Sequence, residues 1–280
     1  MNIIVTNDDG IDAPGMAALV GALAPWAQRG GHEIVVVAPA QNYSGMSAAV
    51  SDVFGHPEVA YRRARVTSAL DVLAYALDAP PALCAILGAL GTFGTRPDLV
   101  VSGINEGANV GRSILHSGTV GAVLSAAQLG LSGLAVSVQW GEDIHYDTAA
   151  AVAVQVLDEL VTAPARTVLN LNVPNVRPRD VKGVRRARIS MAEVVAAAGP
   201  DAGGPALTDE GVLPLAMGTA TPMIGDVSGE DSDEDAYLVE AGYAALTPLL
   251  GPHENSDPAL DTVIHRALEV IGQHLAAERS

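Results

Sequence analysis

Ile3-Ile4-Val5-Thr6-Asn7-Asp8-Asp9-Gly10 begins almost at the first residue, and the rest of the chain is organised around it. Its first half is a short β-branched run, the mark of a fully buried strand, and it stops abruptly at Asn-Asp-Asp-Gly. In open α/β sheets, ligands bind just beyond the carboxyl ends of strands. Two adjacent carboxylates placed there are costly unless something cationic sits between them. In the turn after a strand both can swing toward one point. A solvated Asp-Gly turn is the plainer alternative, and the following segments weigh between the two.

Downstream, Ala13-Pro14-Gly15 leads into a run with Met16, Leu19, Val20 and Leu23 on one face, which is helical spacing behind a Pro-Gly entry. Residues 33–38 (Glu-Ile-Val-Val-Val-Ala) read as a second buried strand ended by Pro39, so the first unit is β-α-β and the sheet parallel. The polar, Gly-containing loop 40–47 again follows a strand's carboxyl end. Residues 48–77 alternate weakly and predict a β-ribbon on one side of the sheet. Pro80-Pro81 opens a helix, residues 98–102 form a third buried strand, and Gly103-Ile104-Asn105-Glu106-Gly107-Ala108-Asn109 follows it. A helix begins behind His116-Ser117-Gly118. Residues 134–138 and 167–173 supply further strands, with an Ala/Val-rich helix introduced by His145-Tyr146-Asp147-Thr148 between them.

Beyond Gly183 the pattern changes. Residues 196–235 are rich in Gly, Pro, Ala and Asp, and the acidic run 229–235 reads as a solvated loop. A strand returns at 242–248. Asp257-Pro258 then caps a final helix with Leu260, Ile264, Ala267, Ile271 and Leu275 in one stripe. The expected architecture is α/β: a Rossmann-like, mostly parallel sheet sandwiched by helices, with a C-terminal β-rich extension and a terminal helix. Its parts are a catalytic core at 1–183, a β-rich or loop extension at 184–256 serving oligomerisation, and the helix 257–280.

Composition agrees. Small aliphatic residues dominate and aromatics are only 4% of the 280 residues, which suits a parallel sheet under closely packed helices. A formal charge of −17 argues against a broad grip on long nucleic acid or an anionic membrane, though not against a single nucleotide in one pocket. Cys84 is the one cysteine and sits in an apolar stretch, as a packed, inert thiol would. The N-terminus enters a strand directly, and no apolar stretch nears the roughly 20 residues that span a bilayer. A cytoplasmic protein without a membrane partner is expected.

Three polar clusters, Asp8-Asp9, Ser44-Gly45 and Asn105, each fall just after a buried strand. If those strands are neighbours, the clusters meet at one crevice and offer two carboxylates, a hydroxyl and an amide oxygen. These hard donors suit Mg²⁺, Mn²⁺ or Ca²⁺, with water completing the shell. The seven histidines are scattered, and no Cys/His cluster has zinc spacing.

At this point the chain resembles the SurE family of survival proteins, metal-dependent nucleotidases. The matching stretches are Thr6–Ile11 with Ala13-Pro14-Gly15, then Ala38-Pro39 with Asn42 and Ser44-Gly45, then Val100–Asn105 with Gly107 and Asn109. They continue with Ser117-Gly118-Thr119-Val120, His145–Ala150, Leu169–Pro174, and Gly242-Tyr243 with Leu246-Thr247-Pro248. The ordered set covers most of the chain and weakens between about 190 and 235. The resemblance implies one divalent cation per subunit, Mg²⁺ or Mn²⁺ with Ca²⁺ as a further occupant, held by Asp8, Asp9, Ser44 and Asn105. It implies that Asn109, Ser117, Gly118 and Thr119 face the phosphate, with Asp8 and Asp9 catalytic. Hydroxyls and free N–H groups where a helix begins are also a physical phosphate cradle, while a plain N-cap is the other use of Ser117. Nucleoside 5′- and 3′-monophosphates are the implied substrates, and a homodimer or homotetramer the implied assembly.

Two departures touch substrate recognition. The loop Ala40-Gln41-Asn42-Tyr43 lacks the basic residues usual in the family, and Asp78-Ala79-Pro80-Pro81-Ala82-Leu83 replaces its Thr-Pro-Thr-type stretch. Tyr43 is the aromatic offered for stacking on a base. Water rather than a carboxylate is favoured as the attacking group. The rival readings are a dinucleotide-binding protein, which lacks its Gly-x-Gly-x-x-Gly turn here, and a non-catalytic nucleotide or metal sensor that keeps the pocket.

Overall fold

The opening run folds as a strand in the middle of a nine-stranded sheet. The computed structural model describes residues 1–191, 195–197, 215–217, 232–252, 260 and 264–266. In chain order the elements are β1 (Asn2–Thr6), α1 (Pro14–Gly30), β2 (Glu33–Pro39), β3 (Tyr61–Ala64), β4 (Leu73–Leu77), α2 (Pro81–Ala89), β5 (Leu99–Glu106), α3 (Gly118–Gln128), β6 (Ser132–Val138), α4 (Tyr146–Leu160), β7 (Val168–Val173), β8 (Val184–Arg186), β9 (Val195–Ala197), β10 (Leu215–Met217), α5 (Asp235–Glu240) and β11 (Ala244–Leu249). A 3₁₀ turn at Gly111–His116 precedes α3. The sheet order is β3-β4-β2-β1-β5-β6-β7-β11-β8, and the six strands from β4 to β7 run parallel.

Residues alternate across the central strands as the sequence requires. Ile3 and Val5 pack with Met16 and Leu19 of α1 and Ala149 and Leu157 of α4. Ile4 packs with Leu83 of α2 and Val120 of α3 on the opposite face. Both faces of the parallel sheet are therefore covered, and the sandwiched α/β architecture read from the sequence is the one observed. Cys84 is buried with Sγ donating to Ala79 O at 3.5 Å, and burial pushes its thiol well up, so it stays protonated.

The segment 48–77 supplies an antiparallel pair of strands at one end of the main sheet. β4 pairs parallel with β2, and β3 pairs antiparallel with β4 as the edge. At the other end β11 pairs antiparallel with β7, and β8 parallel with β11. β9 and β10 form an antiparallel pair of their own. Most of the terminal stripe from Leu260 to Leu275 lies outside the described residues.

The acidic run 229–235 differs from its sequence reading where it is described. Arg188 donates from Nε to both carboxylate oxygens of Asp233, at 2.8 and 2.9 Å. Asp235 is fully buried, where its carboxylate accepts from the backbone N–H of Gly111 and Ser190, both at 3.0 Å, and of Ala236 at 2.8 Å. A charge tolerates burial when several donors replace its water, which composition alone does not reveal. Asp235→Ala strips Gly111 and Ser190 of their acceptor, and should cost about 2–4 kcal/mol, read as a lower urea midpoint at an unchanged slope.

Candidate active site

The chain passes from β1 through α1 to β2 on one side, and from β4 through α2 to β5 on the other. The carboxyl ends of β1 and β5 therefore form the switch point of the sheet, where a crevice opens. Thr6 and Ser102 are register partners, so Asp8-Asp9 and Asn105 leave the sheet side by side. The β5–β6 register slips between Ser102 and Asn105, an irregularity that re-aims the end of β5. Gly15 lets α1 approach there, since a Cβ on it would collide with Ile104 O. The loop after β2 is drawn in by the Tyr43 N–H, which donates to Asp8 O at 2.7 Å.

Asp9 Oδ1 accepts from Ser44 Oγ at 3.2 Å and Asn42 Nδ2 at 3.3 Å, while Asn42 Oδ1 accepts from the Ser44 N–H at 2.7 Å. Asn105 Nδ2 donates to Gly107 O at 2.7 Å, leaving its Oδ1 as the end able to serve a cation. Asp8 is 2% exposed, and its Oδ1 accepts from Thr119 Oγ1 at 2.5 Å. The backbone N–H groups of Gly118 and Thr119 also hydrogen-bond to this carboxylate. A Cβ on Gly118 would stand 2.8 Å from both Cβ and Oδ2 of Asp8 and 2.9 Å from Pro81 Cγ, so only glycine brings α3 this close.

Burial pushes the Asp8 carboxyl above the ordinary carboxylate range, against the pull of the Thr119 hydrogen bond. Asp9 is pushed up to about 6, first by burial and then by the charge of Asp8. Among the described residues neither carboxylate forms an ion pair with lysine, arginine or histidine. No three His, Cys, Asp or Glu side chains are grouped for a metal among those residues either. The donor set is thus two uncompensated carboxylates with neutral oxygens from Ser44 and Asn105. That fits a hard divalent ion and not a zinc cage.

The residues expected around phosphate divide. Gly118 and Thr119 are turned onto Asp8, while Ser117 caps α3 by accepting from the Val120 N–H at 3.1 Å. Asn109 is gripped from below. Its N–H donates to Asn172 Oδ1 at 2.7 Å, and its carbonyl accepts from Asn170 Nδ2 at 2.9 Å and Asn172 Nδ2 at 3.0 Å. Its own Nδ2 donates to Ser137 Oγ at 2.8 Å. Tyr43 is not at the cleft: its hydroxyl donates to Asp78 Oδ1 at 3.0 Å and accepts from Gln41 Nε2 at 3.2 Å.

A cleft of about 370 Å³ opens beside Asp9, with Asp12, Gln41, Asn42, Glu106 and Tyr146 among its walls. Tyr146 Oη donates to Glu106 Oε2 at 2.8 Å. Sequence reasoning missed this pair. Glu106 directly follows Asn105, and Tyr146 stands in a stretch already noted, but nothing local in either signals that they meet.

The model of the family described as survival protein SurE matches residues 3–195. The 5′/3′-nucleotidase SurE of Cronobacter sakazakii is 34% identical over an alignment covering 99% of this chain and 97% of that protein. The 5′-nucleotidase SurE of Methylococcus capsulatus is 38% identical over 68% of this chain and 70% of its own. The SurE crystal structure from Aquifex aeolicus superposes with a TM-score of 0.71 at 28% identity, covering 96% of this chain and all of that one. A family match over residues 3–195, relatives alike over nearly the whole chain and a fold shared almost end to end identify the chain as a member of the SurE family.

Proposed function

We propose that the protein is a divalent-metal-dependent phosphomonoesterase that releases phosphate from nucleoside 5′- and 3′-monophosphates. The observation that carries this reading is the Asp8/Asp9 pair, both held above the carboxylate range at the β1/β5 switch point with no lysine, arginine or histidine paired to either among the described residues. Asp8, Asp9, Ser44 and Asn105 would hold the ion. When bound, it would supply Lewis-acid polarisation of a phosphoryl group and neutralise charge on its oxygens. The start of α3 fixes Asp8 through Thr119 and two N–H groups, which makes Gly118 and Thr119 positioning residues for that carboxylate. The Ser117 hydroxyl still has a proton to donate, and with Asn109 it forms the phosphate side. The asparagine grip beneath Asn109 keeps that side rigid, as transition-state stabilisation requires.

Phosphate release from nucleoside monophosphates, an aryl phosphate and short polyphosphate, with Mg²⁺ or Mn²⁺ and after EDTA, tests this directly. Turnover of the monophosphates, lost in EDTA and restored by Mg²⁺ or Mn²⁺ better than by Zn²⁺, is expected. Ser44→Ala and Asn105→Ala should weaken Mn²⁺ binding less than loss of either carboxylate, since each removes a neutral donor. Metal binding without turnover of any member would favour the sensor reading. The apolar stripe of Leu260, Ile264, Ala267, Ile271 and Leu275 in the sequence needs burial and supports a homodimer or homotetramer, to be read by light scattering. Among the described residues no helix is long and apolar enough to cross a membrane, consistent with the cytoplasmic placement we infer.

A further inference from the structure

The cleft beside Asp9 has carboxylates from Asp9, Asp12 and Glu106 on its walls and, among the described residues, no lysine, arginine or histidine. Asp12 meets Arg62 at 3.7 Å, both of them exposed. Glu106 forms no ion pair among the described residues. Instead the Tyr146 hydroxyl donates to its Oε2 at 2.8 Å, which fixes the carboxylate and leaves Oε1 to accept from a ligand. Gln41 and Asn42 add neutral amides, and a volume of about 370 Å³ is of small-molecule size. A fixed carboxylate welcomes a hydroxyl and repels a phosphate oxygen, while a basic wall would do the reverse.

We infer that Glu106, held by Tyr146, is a specificity-determining residue. The cleft takes the uncharged, hydroxyl-bearing leaving group of a phosphomonoester and turns away substrates that carry a second anionic group. This rests on the nucleotidase reading above and adds a discrimination that its metal ligands do not supply. Repulsion is the working element, since specificity is a difference between two affinities.

The test compares kcat/KM for a nucleoside 5′-monophosphate and the matching 3′,5′-bisphosphate in wild type, Glu106→Gln and Tyr146→Phe. Mn²⁺ affinity is measured for each by calorimetry. Wild type should prefer the monophosphate, and Glu106→Gln should raise the bisphosphate-to-monophosphate ratio about tenfold or more. Tyr146→Phe keeps the charge, so the exclusion should persist. KM for the nucleotide should rise in that variant, while KM for an aryl phosphate without hydroxyls stays put. A wild type that uses both nucleotides equally, or a ratio unmoved by Glu106→Gln, would overturn the assignment and leave the nucleotidase reading intact. So would a parallel loss for both substrates that tracks weaker Mn²⁺ binding. No turnover of any phosphomonoester by wild type would overturn both.

Discussion

Metal-free protein carrying Asp9→Asn is expected to melt above metal-free wild type at pH 7.5, and to have lost phosphate release by about 10³-fold or more. Both effects have one cause. Asp9 is pushed to about 6 by burial and by Asp8, so the folded protein holds a proton there that the unfolded chain gives up near the ordinary value of about 3.9. A raised carboxyl binds protons better folded than unfolded, so its contribution to stability falls as pH rises from about 4 and is fully adverse above about 6. The whole difference corresponds to about 3 kcal/mol, and partial solvation of Asp9 reduces it to roughly 1–2 kcal/mol. The expected gap in Tm is then roughly 3–6 °C at pH 7.5, closing toward pH 4. Asparagine keeps an oxygen for Ser44 and Asn42 while removing the charge. Asp8→Asn should lose activity as severely and also raise the metal-free Tm, because burial holds the Asp8 carboxyl above its ordinary range in spite of the Thr119 hydrogen bond. Melting curves with and without Mn²⁺ decide it. Near wild-type turnover by either variant at saturating Mn²⁺ would remove both residues from the metal site.

Gly118→Ala should be the most damaging single methyl group in the crevice. Helix propensity alone favours the change by about 1 kcal/mol, so geometry and propensity predict opposite signs. The new Cβ would meet Asp8 and Pro81 under 3.0 Å, and neither offers the far end of a flexible side chain. Either α3 withdraws or Asp8 shifts. Destabilisation of about 1–3 kcal/mol is expected from the overpacking. Because the groups that aim Asp8 move with it, activity should fall about 10²-fold. Calorimetric Mn²⁺ titration should show weaker binding, a result that simple loss of helix stability would not produce. An alanine variant that is more stable than wild type and binds Mn²⁺ equally well would contradict the close approach.

The central strands were legible because burial on both faces leaves no alternative to continuous β-branched runs, as in Ile3-Ile4-Val5 and Leu99-Val100-Val101. A rule about strand ends placed Asp8-Asp9, Ser44 and Asn105 at one end of the sheet without knowledge of any contact, and the Ser44 hydrogen bond to Asp9 agrees with it. Edge elements were harder. β3 is Tyr61-Arg62-Arg63-Ala64, exposed over its first three residues, so its composition reflects solvent rather than the sheet. Asp235 was unreadable for the reverse reason, since its acceptors' partners lie at Gly111 and Ser190, far off in sequence. The pairing of Glu106 with Tyr146 joins residues 40 apart, and no periodicity encodes it. The start of α3 showed a correct inventory of donors but not their target, because a helix N-terminus accepts a neighbouring carboxylate as readily as a phosphate.

The Asp235 carboxylate has a meaning in time as well as in space. Gly111 opens the turn that leads to Ser117, and its acceptor lies 124 residues later in the chain. Synthesis at about 5–20 residues per second separates the two by roughly 6–25 s. Once Asn172 has been made, the nascent chain holds every residue of the crevice, yet until Asp235 follows the turn beside it lacks its anchor. β7 likewise lacks the antiparallel neighbour that β11 will supply. The crevice of this protein is therefore sealed from its far end, and a chaperone or nascent partner meeting the chain early would find the phosphate side still open to rearrangement.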